Sequence, residues 1–445
     1  MNLQVTTVST HPLDSFDRAE RHAALLRHAA TAPPPVAPGA DAPVNMHLHT
    51  FFSFNAAGFS PSHIAVQARE WGLYTAATCD FDVLDAADEF LEAAAMLGLR
   101  GASHIETRVY APEFAEIETN SPGEPGICYV MGAGFCRTPA AGSGSLPMAE
   151  ELRLRAAGRN AAVVERINAN LPEVAVCYDS EVAALTPRGS PTERHIVRAY
   201  VNRAREAFPG SSARAAFWAE VLQQPVGAVA AFSRGRLEEQ VRRRLIKHGG
   251  VAYQQPGPAS FPEVGAFFGW VRDAGAIPMA AWRDGTSAGE LDPATWLEAL
   301  QARGVAAINV VPELVTDPAH LRQLMAEVAR RALPVNVGTE MNADGLPEWD
   351  DLHSLELAPY RDAFVGGAEV MVGHTTLVRF AGFSYCCSAA EAEFPRREQR
   401  NDFFAAVGRL PPLGPVAARR LADMGETKAM GRIRDAARRG RWTDG

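Results

Sequence analysis

The feature that most restricts the fold of this chain is the alternation, from Val44 onward, of short apolar runs with amphipathic stretches. Apolar runs of this kind are typical of strands buried on both faces, and helices between them indicate a parallel sheet covered by helices. The predicted strands are residues 44–49, 74–81, 102–110, 126–135, 276–282, 305–311 and 333–341. Seven such strands favour a closed or nearly closed α/β barrel over an open sheet.

Residues 140–255 interrupt this alternation, because they carry arginine-rich helical periodicity without strand patterns. We therefore predict a helical insertion after the fourth strand, packed over the mouth of the barrel. An N-terminal helix and a Pro/Ala linker precede the barrel, and a helical extension follows it. The predicted N-terminal extension, first barrel part, insertion, second barrel part and C-terminal extension are residues 1–43, 44–139, 140–255, 256–385 and 386–445.

Composition and charge argue against several kinds of partner. The chain has 445 residues, of which 47% are hydrophobic, and a formal net charge of -9. The basic segment at residues 431–442 is predicted to be a solvated helix face, so no nucleic-acid partner is expected. No apolar run approaches about 18 residues and the N-terminus has no signal-peptide pattern, which predicts a cytoplasmic protein without a membrane span. The six cysteines have no CxxC spacing and are expected to be free thiols.

His47 and His49 stand one residue apart at the end of the first predicted strand. In a strand, residues i and i+2 point to the same face, so both imidazoles can face the barrel interior and bind one metal ion. Strand ends are also where barrel enzymes carry their chemistry. Taken alone, the pair is equally compatible with two polar histidines satisfied by ordinary hydrogen bonds.

Two acidic residues in other predicted strands strengthen the metal hypothesis. Glu106 lies inside an apolar strand, and Glu340 lies at the end of the last one. A buried carboxylate without a partner costs several kcal/mol, and a metal ion is a suitable partner. For Glu106 the alternative is a salt bridge to Arg108, which lies two residues further along on the same face.

Further candidates for the pocket lie near strand ends and in the insertion. Asp80 is a candidate catalytic base or a group that orients a ligand histidine, and a helix-capping or ion-paired aspartate is the alternative. Arginine binds anions through two N–H groups, although surface ion pairing is its commoner role. His374, in an apolar strand-like run, is expected to be a core histidine. The candidate substrate-binding residues are Arg108, Arg194, His195, Arg198, Arg283 and Asn342.

The segment "MHLHTFFSFNAAGFSPSHIAVQAREWGLYTAATCDFDVLDAADEF" (46–90) resembles the opening of the PHP (polymerase and histidinol phosphatase) superfamily. In that family HxHT, SDG, a Ser-Pro helix start and TDHD follow in this order. "ASHIETRVY" is similar to the family's GIEIS segment, "PVNVGTEMNADG" lies where the family has GSDAH, and "TERHIVRAY" is similar to its RPHIARA segment. The ordered match covers most of residues 44–385 and implies a distorted (β/α)7 barrel with a metal-dependent hydrolase activity of the phosphoesterase type.

The chain also departs from the family, whose members typically bind up to three metal ions. It has Ser53-Phe54-Asn55 where the family has SDG, and Phe81 replaces the histidine of TDHD. Other changed ligand positions are Tyr129 or Val130, Ala281-Trp282 and Glu340-Met341-Asn342. By this resemblance, one complete set of metal ligands remains, namely His47, His49, Glu106 and Glu340.

The remaining ligand set implies at most one tightly bound divalent transition metal per chain. Two imidazoles and two carboxylates suit Zn, Mn or Fe and leave a position open for water or substrate. We therefore expect a mononuclear hydrolase that acts on a small anionic substrate, including a phosphorylated one. The sequence leaves open two alternatives, which are an isomerase or lyase acting on a sugar acid and a non-catalytic protein that binds a ligand.

Overall fold

The structure, a computed structural model, describes residues 11–32, 38–39 and 41–442. Its seven strands form one sheet in chain order. They are β1 (Val44–Leu48), β2 (Thr75–Phe81), β3 (Arg100–Tyr110), β4 (Ile127–Ala133), β5 (Ile277–Trp282), β6 (Ala307–Val310) and β7 (Val335–Val337). Two hydrogen bonds join the first strand to the segment that follows the last. Asn45 Nδ2 donates to the Thr339 carbonyl at 3.0 Å, and His49 N donates to the Glu340 carbonyl at 3.2 Å. The prediction of a nearly closed α/β barrel of seven strands is confirmed.

Helices cover the barrel and form its extensions. The helices before and within the first barrel part are α1 (Arg18–Thr31), α2 (Pro61–Glu70) and α3 (Ala87–Leu97). Those between β4 and β5 are α4 (Leu146–Asn170), α5 (Glu193–Ala207), α6 (Ser211–Leu222), α7 (Val226–Ala230), α8 (Arg234–Leu245) and α9 (Val264–Asp273). The remaining helices are α10 (Pro293–Ala302), α11 (Pro318–Arg330), α12 (Arg361–Ala381), α13 (Ser388–Glu393), α14 (Arg397–Gly408), α15 (Pro415–Asp423) and α16 (Glu426–Arg439). Most of the predicted Pro/Ala linker lies outside the described residues.

The direction of β4 differs from the prediction that all seven strands are parallel. It runs antiparallel to both β3 and β5, whereas the other neighbouring pairs are parallel. A parallel connection needs a long crossover, usually a helix, but residues 111–126 contain only a short 3-10 helix and turns rich in Gly, Pro and Ser. The chain therefore turns back directly after β3.

Of the helices between β4 and β5, α4 and α5 reach the mouth of the barrel, where the parallel strands end, whereas α9 packs against β5 and β3. After β4 the chain returns along the barrel, since Phe135 N donates to the Ser103 carbonyl at 2.8 Å and the Thr138 hydroxyl donates to the Leu84 carbonyl at 3.1 Å. Arg159 in α4 then pairs at 3.0 Å with Asp82, which directly follows β2. These contacts place α4 across the strand ends that carry the candidate site.

The opposite end of the barrel is closed by α12. Gly367 packs so closely on β7 that a Cβ there would lie 1.9 Å from the Val335 carbonyl oxygen. Glu369 accepts a hydrogen bond from the hydroxyl of Tyr74, which precedes β2, at 2.8 Å. His374 is a buried residue of this helix, so the expectation of a strand-like run was wrong. Because α12 is buried nearly all round, its sequence is apolar without the polar face of a surface helix.

None of the helices in the described ranges combines the length and apolar character needed to cross a bilayer.

Candidate metal centre

The two histidines of the HxH pair converge on one carboxylate at the barrel mouth. The side chains of His47 and His49 are buried, with 0% and 4% exposure, and the Nε2 atom of each lies 3.8 Å from Glu106 Oε2. One ligand atom from each of the three residues lies within 4.8 Å of the other two. Arg108 pairs with Glu124 at 3.0 Å, so the alternative of a Glu106–Arg108 salt bridge was wrong.

The remaining nitrogen of each imidazole is fixed by a neighbouring side chain. Ser53 donates its hydroxyl proton to Asp80 at 2.6 Å, which leaves the Ser53 oxygen to accept the Nδ1–H of His49 at 3.0 Å. His47 Nδ1 lies 3.0 Å from the side-chain amide of Asn309, which accepts an Nδ1–H when its oxygen faces the ring. This arrangement leaves the Nε2 lone pair of His49 pointing toward Glu106, and that of His47 does the same when the Asn309 oxygen faces the ring.

The three residues fit a bound divalent cation. Within the part of the chain that the structure describes, the Nε2 atoms of His47 and His49 have no hydrogen-bond partner although they are buried. A buried polar atom without a partner is costly, and histidines that bind metals usually give their other nitrogen to an orienting group, as both do here. The donor set therefore suits Zn and other transition metals that prefer imidazole and carboxylate ligands.

Glu340 stands beside this group and connects it to the insertion. Its Oε2 atom lies 3.7 Å from His49 Nε2 and accepts a hydrogen bond from the Asn342 side-chain amide. The Asn342 carbonyl oxygen in turn accepts a hydrogen bond of 3.1 Å from Arg194 of α5. The side chain of Glu340 is 21% exposed, more than the three other candidate ligands, and so lies on the solvent side of the group.

Burial and neighbouring charges shift the pKa values of the candidate metal ligands. Burial raises the pKa of Glu340 to about 7, and the nearby Glu106 carboxylate adds to this shift. Burial, followed by the charges of His47 and Arg194, holds the pKa of His49 well below its usual value. For His47 burial lowers the pKa, but Cys79 and Glu106 together raise it by more, so the net direction is upward. The pKa values of the two histidines are thus shifted in opposite directions, that of His49 mainly by burial and that of His47 by Cys79 and Glu106.

Asp80 supports His49 and does not face the pocket. Its Oδ1 atom accepts hydrogen bonds from Thr50 N at 2.7 Å and from Ser53, and its Oδ2 atom accepts the Thr50 hydroxyl at 2.7 Å. Burial raises the pKa of Asp80 to about 6. With both oxygens occupied and the side chain 1% exposed, the structure favours the orienting role over the predicted role as catalytic base.

Four of the predicted substrate-binding residues are engaged elsewhere. Arg198 pairs with Glu238 through two nitrogens at 3.1 and 3.3 Å, and Arg108 pairs with Glu124. Arg283 pairs at 3.0 Å with its neighbour Asp284. His195 Nδ1 accepts the Thr192 backbone N–H at 3.1 Å, which is the capping box that begins α5. Only Arg194 and Asn342 among the six predicted residues lie next to the histidine pair in the part of the chain that is described.

Aromatic side chains fill the positions where the chain departs from the PHP pattern. The Phe54 ring contacts the His195 ring, with centroids 5.0 Å apart, and lies under Arg198. The rings of Phe81 and Tyr129 lie 5.9 Å apart, and Trp282 is 1% exposed. These rings offer no lone pairs comparable to those of carboxylates or imidazoles. Their packing supports the prediction that the barrel binds a single metal ion, and this remains a prediction.

Ser53 and Asn309 are the functional side chains that sequence reasoning missed. In the sequence, Ser53 is notable only as the first residue of the altered SDG motif. Asn309 is inconspicuous because it lies in the apolar run "VAAINVV". A polar residue that is 0% exposed inside an apolar strand must find a partner in the barrel, and this signal identifies Asn309.

The support of His49 can be tested by replacing Ser53 with alanine. The variant loses the hydroxyl that joins His49 to Asp80, so we expect metal affinity to fall about 10–100-fold while the fold is kept. Competition with a chelator measures the affinity. Ser212→Ala, at an exposed position of α6, is the matched control and should leave the affinity unchanged. Equal affinities for the wild type and Ser53→Ala would contradict the orienting role.

Comparison with known proteins gives weak likeness only. No family model and no curated protein matches the chain. An amidohydrolase from Chromobacterium violaceum, solved with bound sulfate and no metal, is 16% identical over 68% of this chain and 89% of its own, with a TM-score of 0.47. A structure from Bifidobacterium adolescentis described as a metal-dependent phosphoesterase is 20% identical over 74% of this chain and 98% of its own, with a TM-score of 0.46. Scores of this size carry no functional argument, so the function is argued from the site.

Proposed function

We propose that this chain is a metal-dependent hydrolase of PHP type that uses one divalent metal ion in the barrel and acts on a small anionic substrate. The observation that carries the proposal is the convergence of two buried imidazole nitrogens without hydrogen-bond partners on the Glu106 carboxylate. His47, His49 and Glu106 would hold the ion, and Glu340 would be its fourth ligand. The PHP assignment itself rests on the ordered motifs of the sequence.

Each residue of the centre has a distinct part in this chemistry. When bound, a divalent ion of this kind polarises a substrate oxygen and lowers the pKa of a water molecule. Asp80 and Ser53 keep the His49 ring in its orientation, and Asn342 keeps the Glu340 carboxylate at the solvent side.

Arg194, which also lies 3.6 Å from Glu239, is the predicted substrate-binding cation next to the metal ligands and would attract the anionic group of the substrate. It contacts Asn342 at 3.1 Å and its charge contributes to the lowered pKa of His49. Burial, followed by the charge of Arg242, lowers the pKa of Arg194 to about 10, which still leaves it cationic at neutral pH. An anion at the mouth would therefore meet a positive charge next to the metal ligands.

The proposed activity is tested by assaying the purified chain on a panel of phosphate monoesters, phosphodiesters, carboxylic esters and cyclic amides. We expect hydrolysis of at least one class that is lost on chelation and restored by Zn, Mn or Fe. His49→Ala should lose this activity, and His22→Ala, which changes an exposed histidine of α1, should retain it. Identification of the products distinguishes hydrolysis from isomerisation or elimination. Turnover without release of a hydrolysis product, or turnover that survives removal of the metal, would contradict the proposal.

A further inference from the structure

A second group of metal-binding side chain types lies in the N-terminal extension. His11, Asp14 and His63 each offer one ligand atom, and these atoms lie within 4.8 Å of one another. His11 and Asp14 precede α1, whereas His63 is in the first turn of α2. No spacing motif joins these three residues in the sequence, so only the fold reveals the group.

The Asp14 carboxylate is held firmly at the centre of the group. Its Oδ1 atom accepts the Ser60 backbone N–H at 2.8 Å, and its Oδ2 atom lies 2.8 Å from His63 Nδ1. The Ser60 hydroxyl donates to the Leu13 carbonyl, so the two segments are joined on both sides of the carboxylate. Asp14 is 2% exposed, and a carboxylate buried to this extent needs a cationic partner or a strong hydrogen bond.

The two imidazoles differ in their exposure and in the side chains and backbone groups that they contact. The His63 ring lies between the His11 ring, at a centroid distance of 4.6 Å, and the Phe59 ring, at 4.1 Å. His63 is 9% exposed, whereas His11 is exposed on the outer side of this stack. The Leu13 backbone N–H donates to His11 Nδ1 at 3.3 Å, so an ion bound through the other nitrogen, Nε2, would leave this contact in place.

We propose that His11, Asp14 and His63 form a second site for a divalent transition metal, of which zinc is the best match, and that the bound ion fastens the N-terminal extension to the barrel. Two imidazoles and one carboxylate are a common zinc donor set, with a further position open for water. This proposal departs from the expectation of at most one tightly bound transition metal per chain, which considered only the ligands of the barrel.

The location gives this site a structural connection to the barrel centre. Phe59, which packs on His63, accepts the backbone N–H of Phe51 at 2.8 Å. Phe51 belongs to the same short loop as Ser53, the residue that orients His49. An ion at His11, Asp14 and His63 would therefore stabilise the loop that supports the barrel centre, without being a member of that centre.

The test is elemental analysis of the full chain after equilibration with zinc and dialysis. We expect His11→Ala to lose one zinc ion per chain, through an affinity at least about 10–100-fold weaker, by analogy with the losses measured at other zinc sites. Asp14→Asn, which keeps the shape of the side chain, should have the same effect. His22→Ala, another exposed histidine of this extension, is the matched control and should keep the wild-type zinc content.

A second measurement separates this site from the barrel centre. In His47→Ala protein, zinc should still protect the N-terminal extension from cleavage by trypsin, and this protection should disappear when His11→Ala is added. Loss of zinc in His11→Ala but not in His47→Ala would support the second site and contradict the barrel centre. Zinc content and trypsin sensitivity that His11→Ala and Asp14→Asn leave unchanged would overturn the proposal. In that case the group would be only an ion pair beside a ring stack.

Discussion

Replacing His47 with alanine should remove one tightly bound divalent ion from the barrel and abolish metal-dependent turnover. His47 supplies one of two buried Nε2 atoms that converge on Glu106, so the variant leaves an incomplete ligand set around the ion. Losses of orienting residues alone weaken metal sites about 10–100-fold, and loss of a ligand should exceed about 100-fold. Elemental analysis and chelator competition measure the effect.

The control for this experiment is His353→Ala, since His353 is exposed and its Nε2 contacts only a backbone carbonyl, that of Asp41, at 3.4 Å in the described structure. Circular dichroism of both variants separates loss of the ion from loss of the fold. Metal content that is equal in wild type and His47→Ala would show that the barrel centre is wrongly assigned. A wild-type chain that takes up no metal after supplementation would favour the alternative of a non-catalytic ligand-binding protein.

The sequence predicted the barrel well because its strands are buried on both faces. Such strands appear as continuous apolar runs, and each of the seven predicted runs overlaps an observed strand. The predicted direction of β4 was wrong because pairing direction depends on the connection between strands. The absence of a helix pattern between Tyr110 and Ile127 was the available sign of a direct turn.

The candidate site was predictable where it depends on residues within a strand. His47 and His49 follow the two-residue period of a strand, and Glu106 stands out as a charge in an apolar run. Their proximity across β1 and β3 then followed from the barrel. The distribution of ion pairs was not predictable, because the sequence of the insertion does not show which of its arginines meets a glutamate. Arg194 reaches both Asn342 and Glu239, whereas Arg198, one helical turn later, pairs with Glu238.

Contacts between distant segments were the least predictable part of the site. The amide of Asn309 lies beside His47 only because closure of the barrel brings β6 within one strand, β7, of β1. Asp14 meets His63 only because the N-terminal extension packs on α2. Neither contact leaves a periodic pattern in the sequence, so both required coordinates.

The largest effect expected on stability is at the buried ion pair that fastens α1 to α3. Arg21 Nε donates to Glu89 Oε1 at 2.8 Å, a second guanidinium nitrogen donates to Glu89 Oε2, and the two side chains are 3% and 7% exposed. Ser62 N and its hydroxyl also donate to Glu89, at 3.3 and 2.8 Å. The carboxylate therefore links α1, α2 and α3 in one hydrogen-bonded network.

Glu89→Ala should lower the free energy of unfolding by about 3–5 kcal/mol, because it leaves the buried Arg21 guanidinium with the Ser15 carbonyl but without a carboxylate to balance its charge. Urea denaturation measures the loss. The matched control is Glu92→Ala on the same helix, because Glu92 pairs with Arg18 at 3.7 Å and their side chains are 45% and 59% exposed. That exposed pair should contribute no more than about 1 kcal/mol. The double variant Arg21→Leu/Glu89→Leu removes both charges and should recover part of the loss. Equal effects of Glu89→Ala and Glu92→Ala would mean that burial does not determine the strength of this attachment.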